Sequence, residues 1–332
     1  KLELKERIGH IASVLENHLD PDFRVAAKQI TMALPPPLDP SKTDDDFGDF
    51  IFAPLGEFVV RHGLSKRHLK LSLRTLKQLA MRFSMEDSLR YFINEFPEAT
   101  FAELNKWSKD KNYHVRRLVS EGTRPRLPWS VRLTTNIHRP LELLNILHAD
   151  PTRYVTRSVA NHLNDIAKTD PTVVIGILKR WRKLEQQRSD ELDWITAHAL
   201  RTLVKRGNPS AMEVLGYRVQ PRIAVSPIKL TMDSIAPGET IQFQFELTAA
   251  RDERLMVDYV IDFVKANGKT TGKVFKIKQL ELAKGQTQTI TKRHPLRADA
   301  TTFTLYPGKH WITLQINGQR YSSVAFTLTR SV

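Results

Sequence analysis

The chain has 332 residues, 41% of them apolar and with only 14 glycines and 18 prolines, a composition that supports two or three cores and excludes a disordered polypeptide. Fifty-one Lys and Arg against 36 Asp and Glu leave a formal charge of +15, a field that attracts polyanions; nucleic acid is the first suspect, and a basic but otherwise ordinary cytosolic protein is the plain alternative. The lack of cysteine excludes disulfides, Cys-ligated zinc, iron-sulfur clusters and thiol nucleophiles, and with no apolar run near the ~18 residues of a membrane span and no signal-peptide pattern the chain is expected to be soluble and cytoplasmic.

The chain opens on Lys1 rather than Met, so an N-terminal piece is expected to have been removed. Residues 1–33 read as two amphipathic helices, the first carrying Leu2, Ile8, Ile11 and Leu15 and the second Val25, Ile30 and Leu34 after a Pro21 start signal; they are expected to pair antiparallel. Pro35-Pro36-Pro37 and Asp44-Asp45-Asp46 mark a surface loop to about Gly48. Helices are predicted again over 50–63, 66–82, 85–96 and 98–109, each set off by Gly, Pro or Ser.

From here a repeat of 40 residues is visible: Val115, Val155 and Ile195 share one position, Val119, Val159 and Ala199 another, and Leu163 and Leu203 a third, with Asp110 and Asp150 upstream of two of the helices. Forty residues is a helix-turn-helix unit of HEAT or armadillo size, which cannot bury its apolar face alone and stacks into a curved solenoid with a concave surface. Chance matching of common aliphatics is the alternative.

Within the first of these units, His114–Trp129 (HVRRLVSEGTRPRLPW) sets Val115, Leu118 and Val119 on one helical stripe, leaving Arg116, Arg117, Ser120 and Glu121 on the other sides. Gly122 ends the helix, and Pro125 and Pro128 stiffen the loop that carries Arg124 and Arg126. Between Lys106 and Arg139 nine Lys or Arg face only Asp110 and Glu121, which suits phosphates and equally suits a solvated basic face. A carboxylate among phosphate binders costs affinity, a cost that makes sense if Glu121 acts on a cationic target or an oxocarbenium-like sugar; the plain alternative is an internal salt bridge to Arg117 or Arg124.

In the helix over 152–168, Val155, Val159, Leu163 and Ile166 make the buried stripe, which is expected to turn Arg157, Asn161, His162 and Asp165 outward. The helix over 192–206 places His198, Arg201 and Lys205 on its polar side. His114, His162 and His198 could equally be satisfied polar residues.

Past Pro209–Pro227 the period changes to two: Ile241, Phe243 and Phe245; Val257, Tyr259 and Ile261; Val274 and Ile277; and Trp311, Thr313 and Gln315 facing away from Ile312, Leu314 and Ile316. Asn267-Gly268 and Asn317-Gly318 are hairpin signals, with turns at Pro237-Gly238 and Pro307-Gly308. About seven strands in the last 105 residues or so fit an immunoglobulin-like sandwich without its disulfide. The expected organisation is an all-α HEAT-like repeat solenoid over 1–218 followed by an all-β immunoglobulin-like domain over 222–332. P-loop, dinucleotide-glycine, HExxH and GxSxG patterns are absent, so ATPase, dehydrogenase, zincin and hydrolase-elbow readings lose their support, and the 11 histidines show no metal-ligand spacing.

SEGTRPRLPW (Ser120–Trp129), RSVANHLNDIAK (Arg157–Lys168) and HALRTLVKRG (His198–Gly207) closely resemble the bacterial AlkC-type DNA alkylation repair proteins of the AlkC and AlkD superfamily. The resemblance continues through VDYVIDFVKANGK (Val257–Lys269), KVFKIK (Lys273–Lys278) and YPGKHWITLQING (Tyr306–Gly318) and covers essentially the whole chain, except that the family carries a further helical segment before LELKERIGHIASVL. It implies a monofunctional DNA glycosylase acting as a monomer on double-stranded DNA containing alkylated bases, with no cofactor and no metal. Its implied substrates are 3-methyladenine and 3-methylcytosine, cationic bases that leave without being protonated, excised without a deep base-flipping pocket. On that reading Glu121 and Asp165 share stabilisation of the sugar cation or orientation of the water. Arg117, Arg124, Arg126 and Arg157 grip phosphates, and Asn161, His162, His198, Arg201 and Trp129 wall the cleft, Trp129 otherwise being core packing. Lys273 and Lys276, with Lys278, Lys292 and Arg293, make a second clamp on the sandwich or else protect strand edges. A catalytically silent DNA-binding or scaffold module is the alternative.

Overall fold

The computed structural model describes residues 2–42, 44, 47–298 and 303–330, so Asp45 and Asp46 of the acidic loop lie outside the described residues. The chain divides into two compact units between Arg201 and Thr202. In the first unit the helices run α1 (Leu4–Glu16), α2 (Phe23–Ala33), a single 3-10 turn (Phe50–Phe52), α3 (Ala53–Gly63), α4 (Leu69–Ala80), α5 (Glu86–Glu95), α6 (Pro97–Trp107), α7 (Tyr113–Gly122), α8 (Leu141–Leu147), α9 (Arg153–Ala167), α10 (Pro171–Leu184) and α11 (Ser189–Lys205), the last containing the division. Prolines in the first turns of α3, α6 and α10 give up an amide that a helix start leaves unpaired anyway, and the Asn112 side chain caps α7 by accepting from the His114 and Val115 amides at 2.9 and 3.4 Å.

The odd-numbered helices α1, α3, α5, α7 and α9 pack in succession as one layer, and the even-numbered α2, α4, α6, α8 and α10 pack behind them as a second. This is the helical-repeat array the 40-residue period predicts: Val115, Val155 and Ile195 are all fully buried, as are Val119, Val159 and Ala199. Each buried Val or Ile side chain contributes about 1.5–3 kcal/mol by leaving water. Two expectations change. α1 packs chiefly on α3 and α2 on α4, rather than on each other, because the apolar faces are completed by neighbouring repeats. And α9 is enclosed by α7, α8 and α10, so His162 and Asp165 are buried at 0% and 3% exposure instead of facing outward.

The second unit holds α12 (Pro209–Val214) and strands β1 (Ile223–Val225), β2 (Lys229–Leu230), β3 (Ser234–Ile235), β4 (Thr240–Ala249), β5 (Glu253–Val264), β6 (Thr270–Leu282), β7 (Thr287–Pro295), β8 (Gly308–Ile316) and β9 (Gln319–Leu328). One sheet has β4 between β1 and β2 with β7 also on β4; the other runs β3-β9-β8-β5-β6. The alternation read from sequence holds: Ile241, Phe243, Phe245 and Leu247 of β4 face Val257, Tyr259, Ile261, Ile312, Leu314 and Ile316 across a sandwich core. The count of strands exceeds the expected seven because β1, β2 and β3 are two- or three-residue pieces without a periodic signal. Thr313 and Gln315 do leave the core face, yet both are buried, Gln315 donating to the Lys205 carbonyl at 3.3 Å. At the β8–β9 turn Asn317 and Gly318 have φ of 46° and 80°, and a Cβ on Gly318 would come within 2.7 Å of the Gly207 Cα, so only glycine fits.

Candidate active site

The Val115, Leu118 and Val119 stripe that seats α7 also decides where its polar side chains go. Arg117, Ser120 and Glu121 are all buried, turned toward neighbouring helices rather than solvent. Gly122 follows, and a Cβ there would lie 2.6 Å from Leu89 Cδ2; its role is close approach of α7 to α5, not a left-handed cap. The loop beyond is held by Arg90, whose guanidinium, 1% exposed, donates to the carbonyls of Arg124 and Val131 at 2.7 Å each and more weakly to Gly122. Burial pushes the Arg90 pKa down to about 10, which still leaves it charged at neutral pH.

Arg124, so placed, bridges the two carboxylates singled out from sequence. It donates to Glu121 Oε1 at 2.6 Å and, through Nε and Nη2, to Asp165 Oδ2 at 3.0 and 2.9 Å. The other Glu121 oxygen accepts from Ser158 at 2.7 Å and lies 3.8 Å from Arg117; the other Asp165 oxygen accepts from Lys168 at 2.8 Å. Arg117 lies 3.8 Å from Glu86 and sits over the Tyr154 ring at 4.7 Å. Three carboxylates (Glu86, Glu121, Asp165) are thus matched by three cations (Arg117, Arg124, Lys168) in a nearly dry cluster. Burial alone would raise the Glu121 carboxyl, but Arg117, Arg124 and the Ser158 hydroxyl outweigh it and hold it below the usual range. The internal salt bridge raised as the plain alternative for Glu121 therefore exists, and both carboxylates are committed to it.

The remaining residues fall into separate places. His162 packs in the same cluster, its Nδ1 donating to the Ser120 carbonyl at 3.1 Å, and burial lowers its pKa to about 4. Asn161 Oδ1 accepts from His198 Nε2 at 2.9 Å and from Arg201 at 3.0 Å, while Trp194 stacks on His198 with ring centres 4.8 Å apart. Burial first, then Arg201 and Arg157, push His198 to about 4, so it too is neutral near pH 7. Arg157 is paired with Asp44. Arg126 is exposed and lines a cavity of about 610 Å³ with Asp165, Arg90, Arg132 and Thr134 on its walls. Trp129 is not core: it is 53% exposed and edges an apolar groove with Phe47, Phe50 and Phe83, since the loop is anchored by Leu127 and leaves the next turn outside. Lys273 and Lys276 belong to the second unit, on β6; Lys273 lies 4.9 Å over the Phe303 ring, and Lys276 stands opposite Asp258, whose carboxyl is pushed up to about 6 by burial against the pull of Lys276 and Lys205.

Sequence reading missed Ser158, Lys168, Arg90 and Glu86. One signal was available: Glu121, Asn161 and Arg201 occupy one position of the 40-residue register, so neighbouring repeats were bound to bring polar groups side by side. Arg90 carried no such signal, because its partners are carbonyls of a loop. Among the described residues no group of three or more His, Asp or Glu is arranged to hold a metal ion, and no helix is long and apolar enough to cross a membrane.

The family model described as "Uncharacterised protein YhaZ, C-terminal Ig-like domain" matches residues 224–330. Over 329 residues, 98% of this chain and 87% of the relative, the sequence is 33% identical to the protein of Bacillus subtilis (strain 168) described as "Uncharacterized protein YhaZ". The fold matches a solved structure, Pseudomonas fluorescens alkylpurine DNA glycosylase AlkC bound to DNA containing an abasic site analog, with a TM-score of 0.88 and 33% identity, covering 99% of this chain and 88% of that one. Identity at this level over nearly the whole of both chains, spanning the helical array and the sandwich alike, makes the chain a member of the AlkC-type family of DNA alkylation repair proteins.

Proposed function

We propose that this chain is a DNA glycosylase that hydrolyses the N-glycosidic bond of cationic N3-methylated bases, 3-methyladenine and 3-methylcytosine, in double-stranded DNA. The observation that carries the reading is the pair of carboxylates from adjacent repeats, Glu121 and Asp165, joined by one guanidinium beside a cavity whose walls include Asp165 and three arginines. Membership of the AlkC-type family and the likeness to a DNA-bound alkylpurine glycosylase support it.

The chemistry needs little from the protein. A base methylated at N3 is positively charged; when the C1′–N bond breaks, the bonding electron pair stays with the base and neutralises it, so no acid has to protonate the leaving group. Positive charge then accumulates on the sugar, where an anion nearby lowers the barrier; water adds to C1′ and gives up a proton. On this reading Asp165, which lines the cavity, is the carboxylate that faces the sugar, and Glu121, one guanidinium further in, keeps the cluster from presenting net positive charge to the developing cation. On the same reading Arg126 and Arg132, which line the cavity, hold phosphates.

A second reading, a DNA-binding module without chemistry, is favoured by one observation: every oxygen of Glu121 and Asp165 already accepts from an internal donor. Incubating the protein with duplexes carrying each methylated base separates the two. Release of free base by the wild type and its loss in Asp165→Asn supports the glycosylase; tight duplex binding with no base released by the wild type overturns it.

A further inference from the structure

Five arginines at the candidate site are already paired, leaving Arg126 and Arg132 of the loop on its cavity wall. Arg116, Arg117, Arg124, Arg153 and Arg157 each have a carboxylate partner: Asp150, Glu121, Glu121 with Asp165, Glu191 and Asp44. A different part of the first unit holds cations with no such partner. The second helical layer carries a groove of about 530 Å³ between α2 and α4, lined by Arg24, Lys28, Arg74, Thr31, Thr75 and Gln78, and no acid lines it. Lys28 and Arg74 are exposed, as are Lys70 in the first turn of α4 and Arg67 just before that helix, and none of the four makes an ion pair among the described residues; only Arg24 is paired, to Asp22 at 2.6 Å.

The sequence builds this face deliberately spaced. Arg24 and Lys28 are four residues apart on α2, and Lys70 and Arg74 four apart on α4, so each helix carries a basic stripe one turn long. The opposite stripes are the ones that seat the helices: Phe23, Ala26, Ala27 and Ile30 on α2, Leu73, Leu76 and Leu79 on α4. Two basic stripes with the Gln78 amide between them, the Thr31 and Thr75 hydroxyls donating inward to the Ala27 and Leu71 carbonyls, match a phosphodiester backbone, which offers a row of anionic acceptors and needs no apolar floor.

The layer decides which backbone. The candidate site is built on α7 and α9 of the first layer, and α2 and α4 belong to the layer behind it. Two helix layers are about 20 Å thick, so a straight duplex lying on the first layer at the candidate site does not reach the outer face of the second. We propose that the α2–α4 groove is a second nucleic-acid backbone site, which holds a duplex segment other than the one at the candidate site. This rests on the reading of the chain as a DNA-acting protein. It lets the molecule keep hold of one segment while it engages another, a route of transfer between segments that a single site lacks.

The test uses the whole chain. Wild type is loaded with a donor-labelled duplex containing an abasic-site analogue, and an acceptor-labelled undamaged duplex is titrated in at low salt. Energy transfer between the two duplexes is expected with wild type. Lys28→Gln/Lys70→Gln/Arg74→Gln, all exposed positions, is expected to weaken acquisition of the acceptor duplex at least tenfold and to lower its salt slope by about 3, with the thermal midpoint and the rate of base release from a short duplex unchanged. No energy transfer with wild type, or equal transfer with the triple variant, overturns the proposal. So does loss of binding to a single duplex in parallel with base release, which would mean that one duplex wraps both faces. Binding of the wild type to anionic phosphatidylserine vesicles at lower concentration than to duplex, lost in the variant, would assign the groove to a membrane surface instead. Base release is scored separately, so a failure of the glycosylase reading leaves the two-duplex result standing on its own.

Discussion

Replacing Glu121 by Gln keeps the shape of the buried cluster and deletes one charge. Arg124 retains Asp165 and Arg117 retains Glu86, so the cations are left short by one unit, not abandoned. Breaking a buried pair costs roughly 3–5 kcal/mol, and the surviving partners place this case near about 3 kcal/mol; for a unit of some 200 residues that lowers the thermal midpoint by roughly 6–12 °C. The effect on rate follows from distance. A sugar seated against Asp165 is separated from Glu121 by the Arg124 guanidinium, which is 2.6 Å from one acid and 2.9 Å from the other. At roughly 7 Å and an effective dielectric near 20, a unit charge contributes about 2.4 kcal/mol, or on the order of 60-fold in rate. Asp165, at roughly 4 Å, contributes about 4 kcal/mol, on the order of a thousandfold. The assay is single-turnover release of methylated base at 20 °C or so, with thermal melting and anisotropy on an abasic-site duplex run beside it. Glu121→Gln is expected to be slowed less than Asp165→Asn while both bind the duplex. A folded Glu121→Gln protein that works at full rate, or one slowed more than Asp165→Asn, refutes the assignment of roles.

Three further outcomes follow from the same geometry. Arg90→Met removes the donors to the Arg124 and Val131 carbonyls; it should cost about 2–3 kcal/mol in stability and loosen Arg124, with a larger fall in single-turnover rate than in duplex affinity. Arg126→Gln, at an exposed position on the cavity wall, should leave the melting midpoint unchanged, weaken all duplexes alike and reduce the salt slope of binding by about 1. Acid should destabilise the first unit early: the His162 pKa, about 4 when folded, lies below the ordinary 6.5, so between those values the unfolded chain binds a proton that the folded chain refuses. That contribution is complete above about pH 6.5 and is lost as pH falls toward 4, by about 3 kcal/mol in all. His162→Gln should flatten the midpoint over this range, and an NMR titration of His162 that centres above pH 6 would contradict the argument.

Much of this architecture is legible in the chain because periodicity is a local property. A 40-residue spacing of aliphatics, set against a two-residue alternation further on, distinguishes stacked helix pairs from a sandwich without knowledge of any contact. Val115, Val155 and Ile195 are buried because their positions repeat, and Asn317-Gly318 turns because its backbone must. Glu121 stands out for a similar reason, as one acid in a basic stretch. What the sequence could not decide is which way a polar residue points once a helix is covered on several sides. Amphipathic reasoning sends Asp165 and His162 outward from a helix with one apolar stripe, and it is right only where the rest of the helix meets water; α9 lies in the middle of the array, and tertiary packing buries both. The same packing turned Glu121 from a free acid into one pole of an ion-pair cluster with Arg124 and Asp165, a link across 41 residues of sequence. Low dielectric makes such a cluster stable only when every charge finds its opposite, and that pairing is a property of the folded layers, written in no one segment.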